Sequence, residues 1–219
     1  MATGREFDVI VYGATGYTGR LVAEYLAQTY GVGGDVSWAM AGRSADKLAA
    51  VRDEIGAPAE TPLVVADAND EASLKSMVER AGCVATTVGP YQLYGEPLVA
   101  ACAEAGTDYV DLCGEPGWMH AMIGNYEGKA QESGARIVFS CGFDSIPFDL
   151  GVWFTQEAAK ERFGVPVPRI KGRVRKMQGT FSGGTAASFK ATMASVGKDP
   201  SILRQQQNPI RQTMGFQDP

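Results

Sequence analysis

The chain has 219 residues, of which 45% are hydrophobic, and a formal net charge of −5 at pH 7, values that fit a globular protein with a substantial core. No stretch of about 18 uncharged apolar residues occurs, which excludes a membrane-spanning helix. The four cysteines form no Cys-x-x-Cys pair and His120 is the single histidine, so the pattern indicates neither a metal site nor a disulfide framework.

The first predicted elements are a strand over residues 7–12 and a helix over residues 17–30, joined by three glycines spaced three apart. Such a turn brings backbone amides and the positive end of the helix dipole to an anion such as a dinucleotide pyrophosphate. Gly13 allows the tight turn, Gly16 admits the phosphates and Gly19 lets the helix pack on the strand. The spacing departs from the commoner Gly-x-Gly-x-x-Gly, and an ordinary βα turn is the alternative. The predicted cofactor-binding residues here are Gly13, Thr15, Gly16, Tyr17, Thr18 and Gly19.

The second predicted strand, residues 36–41, ends in a basic residue where many dinucleotide sites carry an acid. An acid would bind a ribose 2′-hydroxyl, whereas the planar guanidinium of Arg43 suits a 2′-phosphate. Ser44 adds a hydroxyl and Lys47 a further positive charge close in sequence. We therefore predict NADP rather than NAD, with a solvated arginine as the alternative.

The first 140 or so residues alternate strand-like and helix-like segments, which predicts a doubly wound α/β fold with a parallel sheet and helices on both faces. Further strands are predicted near residues 63–66, 83–88, 108–111 and 136–140. Further helices are predicted over residues 45–55, 71–81, 95–105 and 118–133. Asp70 is the expected N-cap of the third helix, and Gly56 and Gly106 are expected to stop the second and fourth.

The exits of the next two strands carry further candidates, and parallel strands place all their exits at one edge of the sheet. Asp67-Ala68 follows the third strand, where Asp67 can accept from an adenine amino group or serve a local structural role. The segment Val88-Gly89-Pro90 follows the fourth strand and forms a rigid loop against which a nicotinamide ring can lie. Tyr91 and Tyr94 can hydrogen-bond the ribose or a substrate carbonyl, with packing as the alternative for either one.

The alternation ends beyond Ser140, where we expect a domain boundary and a helix starting near Pro147. A strand over residues 170–181 and an Ala-rich helix over residues 186–196 are predicted to follow. Residues 160–219 hold 11 basic and 3 acidic side chains, against 9 and 22 in residues 1–159. Four cations occupy every second position of this region, which places them on one face of the predicted strand, where they suit an anion, a membrane surface or water. They are Arg169, Lys171, Arg173 and Arg175.

Six ordered motifs closely resemble those of the saccharopine dehydrogenase-like oxidoreductases, and within that family the actinobacterial trans-acting enoyl reductases. They are Gly13-Ala14-Thr15-Gly16-Tyr17-Thr18-Gly19, Ala41-Gly42-Arg43-Ser44, Thr87-Val88-Gly89-Pro90-Tyr91, Asp111-Leu112-Cys113-Gly114-Glu115-Pro116, Gly142-Phe143-Asp144-Ser145-Ile146-Pro147 and Ser182-Gly183-Gly184-Thr185. The resemblance implies a Rossmann NADP-binding domain followed by a mixed α/β domain, and reduction of a double bond in a lipid intermediate of cell-envelope glycolipid synthesis. It also implies that Gly114-Glu115-Pro116 and Gly142-Phe143-Asp144-Ser145 line the cleft.

Relatives in this family continue past the Ala-rich helix, so we expect residues 1–146 to form the NADP-binding domain and residues 147–219 the beginning of a second, incomplete α/β domain for substrate binding or dimerisation. An exposed sheet edge there favours formation of a homodimer or aggregation. Cytoplasmic location is expected, with peripheral contact at the inner face of the plasma membrane as a further option, and no nucleic-acid partner is expected.

The leading functional prediction is an NADPH-dependent reductase of a small-molecule or lipid substrate, in which the cofactor carries the chemistry. The candidates for orienting substrate or donating a proton are Tyr91, Tyr94 and Asp144. No tyrosine has a lysine four residues on, which excludes the Tyr-x-x-x-Lys mechanism of short-chain dehydrogenases. The alternatives are a non-catalytic NADP-binding sensor or membrane-associated scaffold, and amino-acid metabolism of the saccharopine type.

Overall fold

Six short parallel strands form one sheet in the computed structural model, which describes residues 4–179 and 183–198. The strands are β1 (Phe7–Tyr12), β2 (Trp38–Gly42), β3 (Leu63–Val65), β4 (Ala81–Thr86), β5 (Asp108–Val110) and β6 (Ile137–Val138). The helices are α1 (Tyr17–Thr29), α2 (Ala45–Glu54), α3 (Glu71–Glu79), α4 (Tyr91–Tyr94), α5 (Glu96–Ala105), α6 (Pro116–Ser133), α7 (Ile146–Phe163) and α8 (Gly183–Lys198).

The strand order across the sheet is β3-β2-β1-β4-β5-β6. β2 and β3 extend the sheet to one side of β1, and the next three strands extend it to the other side, so the strand order reverses between β1 and β4. β1 pairs in parallel with β2 on one side and with β4 on the other. The loops that leave these two strands diverge, and the crevice between them is where open α/β sheets bind ligands. The predicted parallel α/β fold is therefore confirmed.

Helices cover both faces of the sheet and bury two hydrophobic clusters. One cluster lies between the sheet and α3, α5 and α6, and includes Leu74, Val99 and Met122. The other lies between the sheet and α1 and α2, and includes Leu26 and Leu48. The strands are buried from both sides, which explains why they read as nearly continuous apolar runs in the sequence.

Local signals account for several helix boundaries. The carboxylate of Asp70 accepts from the backbone amides of Ala72 and Ser73, so Asp70 caps α3 as predicted. Gly106 ends α5 with φ +67°, a left-handed conformation that glycine adopts without strain. α6 begins at Pro116, two residues before its predicted start, because proline fits the first helical turn.

The predicted strand over residues 170–181 is wrong over its described part. Residues 170–179 contain neither helix nor strand, and they pair with no described strand. A single extended segment gains no stability without a neighbour for its ladder hydrogen bonds, and like charges along one face add repulsion. Residues 180 and 181 lie outside the described residues.

The last two helices form where the sequence predicts them. α7 begins at Ile146, next to Pro147, and the Ala-rich helix α8 extends beyond its predicted span of residues 186–196 at both ends. Among the described residues, no helix combines the length and apolar character needed to cross a bilayer.

Candidate functional site

A cleft of about 360 Å³ opens at the carboxyl ends of the first four strands, where the strand order reverses. Its walls come from the turn after β1, the exits of β2, β3 and β4, the short helix α4, and the start of α8. The lining residues are Tyr12, Gly13, Thr15, Gly16, Tyr17, Thr18, Gly42, Arg43, Asp67, Ala68, Asn69, Thr87, Val88, Gly89, Tyr94 and Gly184. Four separate strand exits therefore contribute to one site, as their parallel order predicts.

The turn after β1 is shaped by glycines that admit no side chain. Gly13 has φ +90°, and a Cβ there would lie 2.8 Å from the Oγ1 of Thr87. A Cβ on Gly19 would lie 2.1 Å from the carbonyl oxygen of Gly13, because α1 crosses directly over the turn. Gly16 is the N-cap of α1 and has no side chain that could accept a hydrogen bond. The first amides of that helix therefore face the cleft without a side-chain cap. This arrangement fits a bound pyrophosphate.

The exit of β2 places a positive charge in the cleft. Arg43 follows the last residue of β2 directly, is exposed and lines the cleft wall. Ser44 does not line the cleft; its Oγ accepts from the Lys47 amide at 3.3 Å and caps α2. Lys47 is exposed on the first turn of α2, also outside the lining. Of the three predicted phosphate ligands, the structure therefore brings one to the cleft.

The exit of β3 brings a carboxylate beside a buried phenol. Asp67 lines the cleft, and its Oδ1 accepts from the backbone and side-chain amides of Asn69 at 2.9 and 3.2 Å. Burial, with the Asp67 carboxylate adding to it, raises the pKa of Tyr12 to about 12, although Arg43 acts in the opposite direction. Tyr12 is therefore protonated at neutral pH, and Asp67 both holds its own loop and faces the cleft.

The exit of β4 is held against the glycine turn. The Oγ1 of Thr87 donates to the carbonyl oxygen of Gly13 at 3.3 Å, and the Val88 amide donates to the Oγ1 of Thr86 at 3.2 Å. Val88 and Gly89 line the cleft, whereas Pro90, which follows a cis peptide bond, is buried behind it as the N-cap of α4.

The three predicted catalytic candidates occupy different environments. Tyr94 is 41% exposed and lines the cleft. Tyr91 is buried, and its hydroxyl donates to the Thr86 carbonyl and accepts from the Leu112 amide, both at 3.3 Å. Burial and the nearby Asp111 carboxylate raise the pKa of Tyr91 well above its ordinary value of 10. Asp144 is exposed just before α7 and does not line the cleft.

A buried carboxylate behind the cleft ties β5 to the loop after β6. Asp111 accepts from the Cys113 amide at 3.0 Å, the Ser140 amide at 2.7 Å and the Tyr109 hydroxyl at 2.8 Å. Burial raises its pKa above the ordinary 3.8, although these three hydrogen bonds act in the opposite direction. Asp111 stands in one of the motifs that carry the family resemblance, and its role is to hold the backbone behind the cleft.

Replacing Asp111 with alanine is expected to lower the free energy of unfolding by about 2–5 kcal/mol, because two buried amides and a hydroxyl lose their acceptor. Asp111→Asn keeps acceptor and donor atoms for the same partners and is expected to lie within about 1 kcal/mol of wild type. Urea unfolding measures the free energy of unfolding of both variants. Equal destabilisation by the two would contradict this role.

The pH dependence of stability gives a second readout of the same group. Because the folded pKa of Asp111 is raised, the folded chain holds this proton more tightly than the unfolded chain does. Its contribution to stability therefore falls as pH rises from the unfolded pKa to the folded one, and is constant above that. In Asp111→Asn this acidic-range contribution is expected to disappear from urea unfolding measured across pH.

Some lining residues were missed by sequence reasoning. Tyr12, Gly42 and Thr87 adjoin predicted site residues, so extending each strand exit by one position would have found them. Asn69 follows Asp67-Ala68 in the same loop. Gly184 is remote in sequence, and only its place in a motif shared with the family pointed to it.

The strand order, the glycine turn under an uncapped helix and the basic exit of β2 together define a Rossmann-type dinucleotide-binding domain. The comparison with known families narrows this class. The sequence profile of the saccharopine dehydrogenase NADP-binding domain matches residues 9–138, so the chain belongs to that family, and the prediction of NADP is confirmed at this level.

The similarity to individual proteins covers more of the chain than the matched domain does. A Mycobacterium tuberculosis H37Rv protein, provisionally named a trans-acting enoyl reductase, is 49% identical over 95% of this chain and 49% of its own length. The trans-acting enoyl reductase of Mycobacterium ulcerans is 44% identical over 95% of this chain and 50% of its own length. The chain therefore spans about half the length of these relatives.

Among solved structures, apo saccharopine dehydrogenase (L-Glu forming) from Saccharomyces cerevisiae superposes with a TM-score of 0.56 at 18% identity. The match covers 72% of this chain and 32% of that one. At this identity the likeness supports the fold alone.

Proposed function

We propose that the chain is the cofactor-binding part of an NADPH-dependent reductase that acts on an enoyl substrate. One observation carries the proposal: a cleft at the strand-order reversal joins a glycine turn under an uncapped helix to an exposed arginine at the exit of β2. The names of the relatives, which are trans-acting enoyl reductases, support the reaction class.

The residues of the cleft fit NADPH along its length. The amides at the start of α1 suit the pyrophosphate, and Arg43 suits the 2′-phosphate that distinguishes NADPH from NADH. The β4 exit, with Val88 and Gly89, offers a wall with few side-chain atoms for the nicotinamide half. When bound, NADPH supplies the hydride.

Reduction of an enoyl group requires a hydride at one carbon and a proton at the next, and the chain must orient the substrate for both. Tyr94 is the candidate best placed for this, because its side chain is exposed in the cleft beside the β4 exit. A phenol there can hydrogen-bond a thioester carbonyl or donate the proton. Tyr91 is committed to the backbone of Thr86 and Leu112, and Asp144 lies outside the cleft lining, so both become weaker candidates.

We further propose a lipid substrate delivered as a thioester on an acidic carrier. The exposed cations of residues 169–176 supply a complementary charge, and a membrane surface is the other partner that this charge suits. We also propose that the NADP-binding domain ends at residue 146 and that a second domain begins at residue 147. The apolar side chains of α7 support this division, since Trp153 and Phe154 are 62% and 69% exposed.

Two measurements on the 219-residue chain test the proposed function. Titration with NADPH and NADH, followed by nicotinamide fluorescence, is expected to show preferential binding of NADPH. NADPH oxidation with an enoyl thioester then tests turnover. Oxidation of NADPH with an enoyl thioester counts against a non-catalytic NADP-binding protein, and no binding of NADPH by a folded chain overturns the proposal.

A further inference from the structure

Gln92 lies in α4, one of the walls of the cleft, and forms hydrogen bonds with two segments that pack against this helix. Its backbone amide donates to Glu115 Oε2 at 2.9 Å, and its side-chain Oε1 accepts from the Ser195 hydroxyl at 2.7 Å. Its Nε2 donates to the Oγ1 of Thr192 at 3.3 Å. Gln92 thus connects the loop after β5 to α8, whose Thr192 and Ser195 lie 100 and 103 positions further along the chain than Gln92 itself.

Glu115 anchors this arrangement from behind. It is 4% exposed, and its two carboxylate oxygens accept from the amides of Tyr91 and Gln92 at 3.0 and 2.9 Å. Both amides belong to the first turn of α4, which has no other side-chain cap. A buried acceptor for two backbone donors fixes where α4 begins, and with it the segment Val88-Gly89 in the cleft wall.

α8 meets this segment through a polar stripe. Ser188, Thr192 and Ser195 recur at spacings of four and three residues, so they share one face of the helix, and all three are half-buried. A Cβ on Gly89 would lie 3.7 Å from the Ser188 hydroxyl, which shows how closely the stripe approaches the β4 exit. The start of the same helix supplies Gly184 to the cleft lining.

We propose that Gln92 is a positioning residue for the nicotinamide half of the cofactor, acting by holding α8 against the β4 exit. The inference rests on the proposed binding of NADPH. The dinucleotide crosses the crevice from the β2 and β3 side to the β4 side, so only its nicotinamide half reaches the wall that Gln92 holds. In the proposed binding mode the adenosine half lies against Arg43 and the glycine turn, whereas the hydrogen bonds of Gln92 go to Glu115, Thr192 and Ser195.

This separation of the two halves defines the experiment. Adenosine 2′,5′-bisphosphate carries the 2′-phosphate and adenosine but no nicotinamide, and calorimetry measures its affinity beside that of NADPH. Gln92→Leu removes both side-chain hydrogen bonds, and we expect it to weaken NADPH about tenfold while the bisphosphate changes less than about twofold. Ser195→Ala is expected to reproduce part of the NADPH loss, and Ser195→Thr, which keeps the hydroxyl, to retain wild-type affinity.

Two controls separate positioning from a general effect on folding. Gln131→Leu makes the same chemical change on α6, away from the cleft, and is expected to leave both affinities unchanged. In the double variant Gln92→Leu/Ser195→Ala, we expect no greater loss than in Gln92→Leu alone, because the two side chains act through one contact. Thermal unfolding of each variant reports on the fold.

The outcomes distinguish this inference from the proposed function. Equal loss of both ligands in Gln92→Leu, or no loss of NADPH, overturns the positioning role while leaving NADPH binding intact in wild type. A wild-type chain that is folded and binds neither ligand overturns both proposals. Additive losses in the double variant likewise count against a shared contact between Gln92 and Ser195.

Discussion

Gly19→Ala is expected to abolish measurable NADPH binding and to lower the free energy of unfolding by about 1–3 kcal/mol or more. The added Cβ would lie 2.1 Å from the carbonyl oxygen of Gly13 and 2.7 Å from the Oγ1 of Thr87. The nearest of these atoms is backbone, so it cannot rotate away as the end of a flexible side chain can. α1 must therefore shift off the turn, and its first amides move away from the position proposed for the pyrophosphate.

Urea unfolding and nicotinamide fluorescence measure the two effects, and a second glycine provides the matched control. Gly124 lies inside α6, where an added Cβ would meet nothing within 4 Å. Gly124→Ala is expected to raise the free energy of unfolding by about 1 kcal/mol, because alanine favours a helix interior, and to leave NADPH affinity unchanged. A Gly19→Ala variant that binds NADPH like wild type would show that close packing at this turn is dispensable.

The parts of the fold that follow from the sequence are those with local causes. The turn after β1 needs glycine because of its own backbone path, and Gly13 with its φ of +90° shows the requirement directly. Asp70 and Gly106 mark helix ends through hydrogen bonds and dihedral angles that involve only neighbouring residues. Parallel strands then bring their exits to one edge, so Arg43 and Val88-Gly89 meet in one cleft although they are far apart in the sequence.

The parts that the sequence could not predict depend on contacts between distant segments. Tyr91 is a candidate for the cleft by position, but its hydroxyl is bound to two backbone groups behind the wall. Glu115 reaches back 24 residues to Tyr91, and Gln92 reaches forward 103 residues to Ser195. No spacing rule connects such pairs, because the connection is made by the packing of whole elements.

Ser44 shows a related ambiguity, since one residue type suits two roles. A hydroxyl next to Arg43 can bind a 2′-phosphate, and a serine before a helix can also cap it. The structure shows the cap, with Ser44 accepting from the Lys47 amide at 3.3 Å. Its hydroxyl hydrogen can still be donated, so a role toward phosphate stays a prediction, and Arg43 carries the expected selectivity.

Arg43→Ala is expected to weaken NADPH binding by about 10- to 100-fold while changing NADH binding less than about threefold. The two cofactors differ only in the 2′-phosphate, and charge-assisted hydrogen bonds to such a group contribute about 1.5–3 kcal/mol each. Parallel fluorescence titrations measure both affinities, and the NADPH affinity of wild type is expected to fall as salt rises.

One substitution shows whether the geometry or only the charge of Arg43 is required, and a second is a control for the loss of a positive charge elsewhere. Arg43→Lys keeps the positive charge but loses the planar fork, so it is expected to retain part of the NADPH preference. Arg162→Ala removes the same charge from α7, outside the cleft lining, and is expected to leave both affinities unchanged. If Arg43→Ala weakens NADPH and NADH equally, the arginine supports the site in general and the preference for the 2′-phosphate must come from elsewhere, with Lys47 as the next cation to replace.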